Sequence, residues 1–187
     1  MVYEKKQGQG RGEGGRRFTT ARKGGKPKEE FETKLIQIDR VTRVTGGGKR
    51  MRFRATVVVG NRKGKVGVGI MKGPDVAIAI QKATTNAKKH LITVKIHEGS
   101  IPHEVRSKYH AARVMLKPAP KGTGLKSGGA VRSVLELAGI ENVVSKMFGS
   151  ANRINNLRAT INALEDLREP RVKVKKEKEI VTEVAVS

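Results

Sequence analysis

The sequence predicts an α+β protein with two folded units in series, a β-β-β-α unit followed by a second α+β unit. Three observations carry this. Met51, Phe53, Ala55 and Val57 alternate with Arg50, Arg52, Arg54 and Thr56, the period of a strand with one apolar face. Residues 74–91 and 152–167 instead repeat apolar side chains at intervals of three and four, the period of a helix. Between them Glu98-Gly99-Ser100 breaks the pattern and marks a unit boundary.

Taken in order, residues 1–30 hold nine Lys/Arg, four Glu and seven Gly and have almost nothing to bury. Such composition does not offset its ordering entropy, so a disordered Arg/Gly-rich basic arm is expected, either settling onto nucleic acid or serving as a solubilising tail. The folded part begins at Phe31, and Leu35, Ile36, Ile38, Val41 and Val44 supply a first long strand. Gly46-Gly47-Gly48-Lys49 and Gly60-Asn61-Arg62-Lys63-Gly64 are read as the turns of a three-stranded meander, both with cations at the tip. Pro74-Asp75 opens a helix predicted over residues 74–91, since proline suits the first helical position and an acid suits the positive end of the dipole. Its inner stripe is Val76, Ile80, Ala83, Ala87 and Leu91, with Lys82, Thr85 and Lys89 outside.

Residues 92–96 read as a short strand leaving the first unit, which is bounded as 31–97. The second unit, 98–169, begins with a strand pair over 102–109 and 111–118, Val114 and Leu116 alternating with Arg113, Met115 and Lys117. A glycine-rich loop over 118–129 leads into a helix with Val131, Val134, Leu135 and Ala138 on one stripe, stopped by Gly139. Residues 143–148 form a strand, Asn152 caps a last helix to Leu167, and Pro170 ends it. Ile154, Leu157, Ile161 and Leu164 are its expected apolar stripe. Residues 170–187 are a charged tail with no structural assignment.

Composition restricts the function. Among 187 residues, 40 are Lys/Arg and 17 Asp/Glu, for a net charge of +23 and a pI near 10.7. Self-repulsion of that size favours polyanionic partners, and nucleic acid binds such surfaces by releasing its counterions. An anionic membrane surface is disfavoured, because there is no tryptophan and only 3% aromatic residues to anchor an interfacial helix. The chain lacks cysteine, a run of the roughly 18 apolar residues needed to span a membrane, and an apolar signal core near its start. A soluble intracellular protein is expected. Residues 31–97 carry 15 basic and 3 acidic side chains, residues 98–169 carry 11 and 7, so the first unit is the expected polyanion platform.

The candidate contacts are cationic. Arg43, Lys49, Arg50, Arg52, Arg54, Arg62, Lys63 and Lys65 are placed to meet phosphates, while Gly46, Gly47 and Gly48 allow close backbone approach. The bland alternative is a solvated sheet face; three arginines in register beside two basic turns favour the binding face. The loop from Lys121 to Gly129, with Lys126, leads into a helix N-terminus and is a further candidate phosphate site, the alternative being a flexible linker. Arg132 and Arg153 complete the set. Catalytic patterns are missing. In Gly67-Val-Gly-Ile-Met-Lys-Gly73 the third glycine stands one position late for a dinucleotide fingerprint, and no second parallel strand with a ribose-binding acid follows. Gly60-Asn-Arg-Lys-Gly64-Lys65 lacks the spacing and hydroxyl of a P-loop. His90, His97, His103 and His110 fit no compact metal spacing, and no Ser/His/Asp set or carboxylate pair stands out. Neither an enzyme nor a cofactor or metal is expected.

The strings VVVGNRKGKVGVG, GTGLKSGGAVRSVLELAGI and GSANRINNLRAT resemble bacterial small-subunit ribosomal protein five, the likeness running from about Phe31 to Pro170. The resemblance implies a first domain like double-stranded-RNA-binding folds and a second with a left-handed βαβ crossover. It further implies a cytoplasmic, ribosome-bound protein seated on small-subunit ribosomal RNA. Small-subunit proteins four and eight would be its neighbours, messenger RNA would pass nearby at its entry path, and decoding accuracy would depend on it. The loop matching Val44 to Arg50 is near the spectinomycin site in that family. Both ends depart from the family core. A-form RNA would be recognised by shape and 2′-hydroxyls. The rival readings are an RNA-acting enzyme, which would need an acid cluster that residues 98–169 do not offer, and a free-standing regulator that binds double-stranded RNA.

Overall fold

The computed structural model describes residues 31–169. The basic arm, the charged tail and the helix stop at Pro170 lie outside the described residues. β1 (Glu32–Thr45), β2 (Gly48–Gly60) and β3 (Lys65–Gly73) form the antiparallel meander, and α1 (Val76–Lys89) packs across it. The sheet has four strands rather than three. β4 (Leu91–Thr93) turns back from α1 and pairs antiparallel with β3, Val66 opposite Ile92. Leu91, expected on the helix, is therefore the first residue of a strand.

The seam between α1 and the sheet is made of small residues. A Cβ at Gly67, Gly69 or Gly73 would lie 2.6 Å from the Ala87 carbonyl oxygen, 2.0 Å from that of Ala83 and 2.7 Å from the Ala79 amide, respectively. Three glycines on β3 thus face three fully buried alanines on α1, with Ala55, Val57 and Val59 of β2 completing the cluster. This corrects the expected stripe: Ala79 is buried, while Val76 and Ile80 are only half-buried, because backbone pressed on backbone leaves no room for larger side chains. It also accounts for the glycine pattern of residues 67–73, which serves packing.

The second unit contains β5 (Val105–Tyr109), β6 (Ala112–Pro118), β7 (Leu125–Lys126), α2 (Gly129–Ala138), β8 (Val143–Phe148) and α3 (Arg153–Glu165), with strand order β5-β6-β8-β7. β7 runs parallel to β8 and lies within the glycine-rich stretch, so β7, α2 and β8 form the βαβ crossover. Gly139 ends α2 at φ 87° as expected, and the Asn152 side chain accepts from the Ile154 amide to cap α3. The stripe on α3 is broader than Ile154, Leu157, Ile161 and Leu164: Ala159, Thr160 and Ala163 are also buried, and Ile154 and Ile161 are half-buried. The loop after β6 is pinned: buried Asn142 accepts at Oδ1 from the amides of Gly122 and Gly124, each at 3.1 Å.

One core spans both units. Val58 and Val66 of the first sheet, with Val94 and Ile101 from the connection, are buried in the same cluster as Leu116, Val134, Leu135 and Leu157. The stretch around Gly99 is bound to the second unit, its carbonyl accepting from the amides of Glu141 and Asn142. The turn after β2 is docked as well. The amides of Arg62 and Gly64 donate to the carbonyls of Leu137 and Ala138 at 2.9 Å each, satisfying acceptors that the end of α2 would otherwise leave unpaired. The turn read as a cationic meander tip is therefore also a bracket between the units.

A candidate nucleic-acid interface on the protruding ribbon

β1 and β2 have 14 and 13 residues, about 45 Å of extended chain, whereas the 14 residues of α1 cover about 21 Å. The excess projects as a two-stranded ribbon in which residues 42–52 are all exposed. Met51, expected in the core by its alternation with Phe53, is 51% exposed, because α1 does not reach that far. Its sulfur instead lies 2.9 Å from Arg40 Nε.

A β-bulge between Leu35 and Gln37 sets the register beyond it, so that Arg54 is opposite Asp39, Arg52 opposite Val41 and Arg50 opposite Arg43. Arg43, Arg50 and Arg52 therefore share one face. Lys72, opposite Arg54 on β3, joins them, and the four cations line a concavity of 510 Å³ with Val41, Thr42 and Thr45. Lys72 was missed in the sequence because its strand alternation is masked by glycines; only the β2–β3 register brings it across. The same sheet face further along is not cationic or open. There Thr56 and Val58 are fully buried, because the second unit covers them.

Arg54 belongs to the foot of the ribbon and not to the free set. It donates from Nε and Nη2 to Asp39 Oδ2 at 3.1 and 2.8 Å, with its side chain 35% exposed. Hydrogen bonds from Gln37 and then Arg54 hold the Asp39 carboxyl below its ordinary value, against some desolvation. A lowered carboxyl contributes stability above its unfolded pKa, and that contribution is lost as pH falls through the folded one. We expect Arg54→Gln to lower stability by about 1 kcal/mol at neutral pH, solvent screening keeping the effect small. The gap to wild type should shrink in acid, below about pH 4. Melting curves at neutral and acid pH check this, and a gap that persists in acid refutes it.

The tip is open. Gly46 and Gly47 form the turn between Thr45 and Gly48, Thr45 Oγ1 donates to the Gly48 carbonyl, and Gly48 has φ 135°. A Cβ at any of the three glycines would meet nothing within 4 Å. Lys49 is exposed beside them.

The other expected contacts are dispersed. Arg62 Nη2 pairs with Glu32 at 2.8 Å on the docked turn, where Lys63 is exposed. Lys65 is half-buried at the start of β3, its amide donating to Asn61 Oδ1. Lys121 pairs with Glu98 at 3.5 Å, Lys126 is exposed on β7, and Arg132 is exposed on α2. Arg153 Nη1 reaches the Ile36 carbonyl at 3.4 Å. The structure thus gathers Arg43, Gly46, Gly47, Gly48, Lys49, Arg50 and Arg52 on one ribbon and leaves the remainder elsewhere. Among the described residues no cluster of His, Asp or Glu could hold a metal ion, and no helix is long and apolar enough to cross a membrane.

Both units match known families in order. The family described as "Ribosomal protein S5, N-terminal domain" matches residues 31–95, and "Ribosomal protein S5, C-terminal domain" matches residues 107–178. A protein named "Small ribosomal subunit protein uS5" from Thermotoga neapolitana is 52% identical over 155 residues, spanning 83% of this chain and 86% of its own length. Its namesake from Thermotoga maritima is 49% identical over the same spans. "Small ribosomal subunit protein uS5c" of Spinacia oleracea is 50% identical over 153 residues, 81% of this chain and 50% of that one. With the two domains matched in sequence order and about half the aligned residues shared, the chain belongs to the ribosomal protein S5 family.

Proposed function

We propose that the ribbon is the part of this protein that enters ribosomal RNA, and that its glycine tip acts on decoding. As a member of its family the protein is a structural, non-enzymatic constituent of the small ribosomal subunit, ribosome-bound and RNA-binding. The observation that carries the finer reading is the ribbon itself. Residues 42–52 are exposed on both faces, Arg43, Arg50, Arg52 and Lys72 surround one concavity, and the tip has no β-carbon at Gly46, Gly47 or Gly48. Such a finger suits a crevice between phosphate backbones, where cations position and backbone approaches closely without reading bases. In this reading residues 31–97 are the RNA platform. Proteins four and eight are its neighbours in the subunit, and the assembled protein lies near the messenger entry path.

Gly47→Glu tests the tip. Added bulk has open space around it in the free protein, so folding is retained, while a carboxylate is introduced where phosphate is expected. With this variant as the sole copy, subunits should assemble with raised miscoding and an altered response to spectinomycin. Normal fidelity and drug response in subunits of normal yield would mean that the tip touches nothing functional.

A further inference from the structure

The outer face of the second sheet shows a pattern that the ribbon reading leaves unused. Ala112, Val114, Leu116 and Val143 point into the core, so the alternate residues of β5, β6 and β8 point to solvent. Those are Arg106 and Lys108, then Arg113, Met115 and Lys117, then Val144, Lys146 and Phe148. Strand register sets cation beside apolar group at four pairs, while Lys108 is opposite Arg113. Arg106 is opposite Met115, Met115 opposite Lys146, Arg113 opposite Phe148, and Lys117 opposite Val144. The four strands of this sheet carry no acidic residue. Glu104, just before β5, pairs with Arg106 at 2.9 Å and Lys117 at 3.4 Å, which leaves Lys108, Arg113 and Lys146 in surplus among the described residues. Phe148 is 47% and Val144 37% exposed, and a hollow of 440 Å³ lies between Arg106, Lys108, Arg113, Met115 and Phe148.

We propose that this face is a second RNA-binding surface, and that it takes single-stranded RNA. Charge selects the class: a cationic sheet whose strands carry no acid complements a polyanion and repels a basic partner. The apolar half selects the form. An A-form duplex presents phosphates and sugars and has no use for an open phenyl ring, whereas a single strand offers base faces that stack on Phe148 while its phosphates meet the neighbouring cations. The proposal rests on the family's RNA binding but not on the ribbon, from which it differs in unit, strands and chemistry.

The test compares a short oligouridylate with an RNA duplex of equal length, using the full chain. Phe148→Ala should weaken oligouridylate binding about tenfold and leave the duplex nearly unchanged, while Phe148→Tyr, which keeps the ring, retains affinity. Arg113→Gln with Lys146→Gln should flatten the salt dependence of oligouridylate binding by about 1.4 log units per decade. Ribbon variants Arg50→Gln and Arg52→Gln serve as the comparison, so that loss there and loss at the sheet are read separately. Equal oligouridylate affinity for wild type and Phe148→Ala overturns the proposal. So does a photo-crosslinking phenylalanine analogue at position 148 that, in assembled subunits, labels a neighbouring protein and not RNA; labelling of RNA supports it.

Discussion

Gly139→Ala should lower the melting temperature by roughly 6–12 °C, a large loss for a single methyl group. Two effects add. At φ 87° an alanine is in the left-handed region, which costs it about 1–2 kcal/mol. Its Cβ would also lie 2.1 Å from the Arg62 carbonyl oxygen and 2.6 Å from the carbon, and backbone on both sides cannot yield cheaply. Overpacking of this kind adds about 1–3 kcal/mol, for a total near 3 kcal/mol. The distortion falls on the two bonds from Arg62 and Gly64 to the end of α2, so unfolding should also become less cooperative. Gly129→Ala, ten residues earlier and with open space at its Cβ, is the control and should not destabilise. Calorimetry of the two variants decides the matter; matching melts would mean that the bracket relaxes freely.

Replacing Arg43, Arg50 and Arg52 together with Gln should flatten the salt dependence of ribosomal-RNA binding by about 2–2.7 log units per decade of salt, or 0.7–0.9 per contact. Thermal stability should hardly move, because residues 42–52 are exposed and none of the three arginines has an acidic partner among the described residues. Arg54 is left out of the set, since its removal frees Asp39 and would confuse binding with folding. An unchanged slope, measured by filter binding across salt concentrations, would mean that these side chains remain solvated in the complex.

What could be read from the sequence was what depends on neighbours in the chain. Gly139 as a helix stop, Asn152 as a cap and the boundaries of β8 follow from local chemistry, and the structure has them there. What could not be read depends on pairing at a distance. Arg54 obeys the same alternation as Arg50 and Arg52, and only the β1–β2 register, shifted by a bulge at Leu35/Gln37, reveals Asp39 opposite it. Met51 has the same parity as Phe53 and Ala55, but its exposure depends on where α1 stops. β7 has two residues inside a glycine-rich stretch, too short for any periodicity, and exists because β8 lies beside it. The candidate site followed the same division: the tip and the ribbon arginines were legible, whereas Lys72 entered the concavity through the register of a third strand.

The shared core bears on how the chain matures as it is synthesised. Val58 and Val66 emerge first, and Val134, Leu135 and Leu157, which share their buried cluster, are made only after β5, β6 and β7. Until then one face of the first sheet is apolar, wet and next to a basic ribbon. At elongation rates of about 5–20 residues per second this interval lasts for seconds, far longer than a hairpin needs to form. The nascent protein therefore carries a formed but uncovered sheet through that window, and closure comes with α3, nearly at the end of the described chain. A chaperone, or RNA already engaged by the ribbon, has its opportunity then.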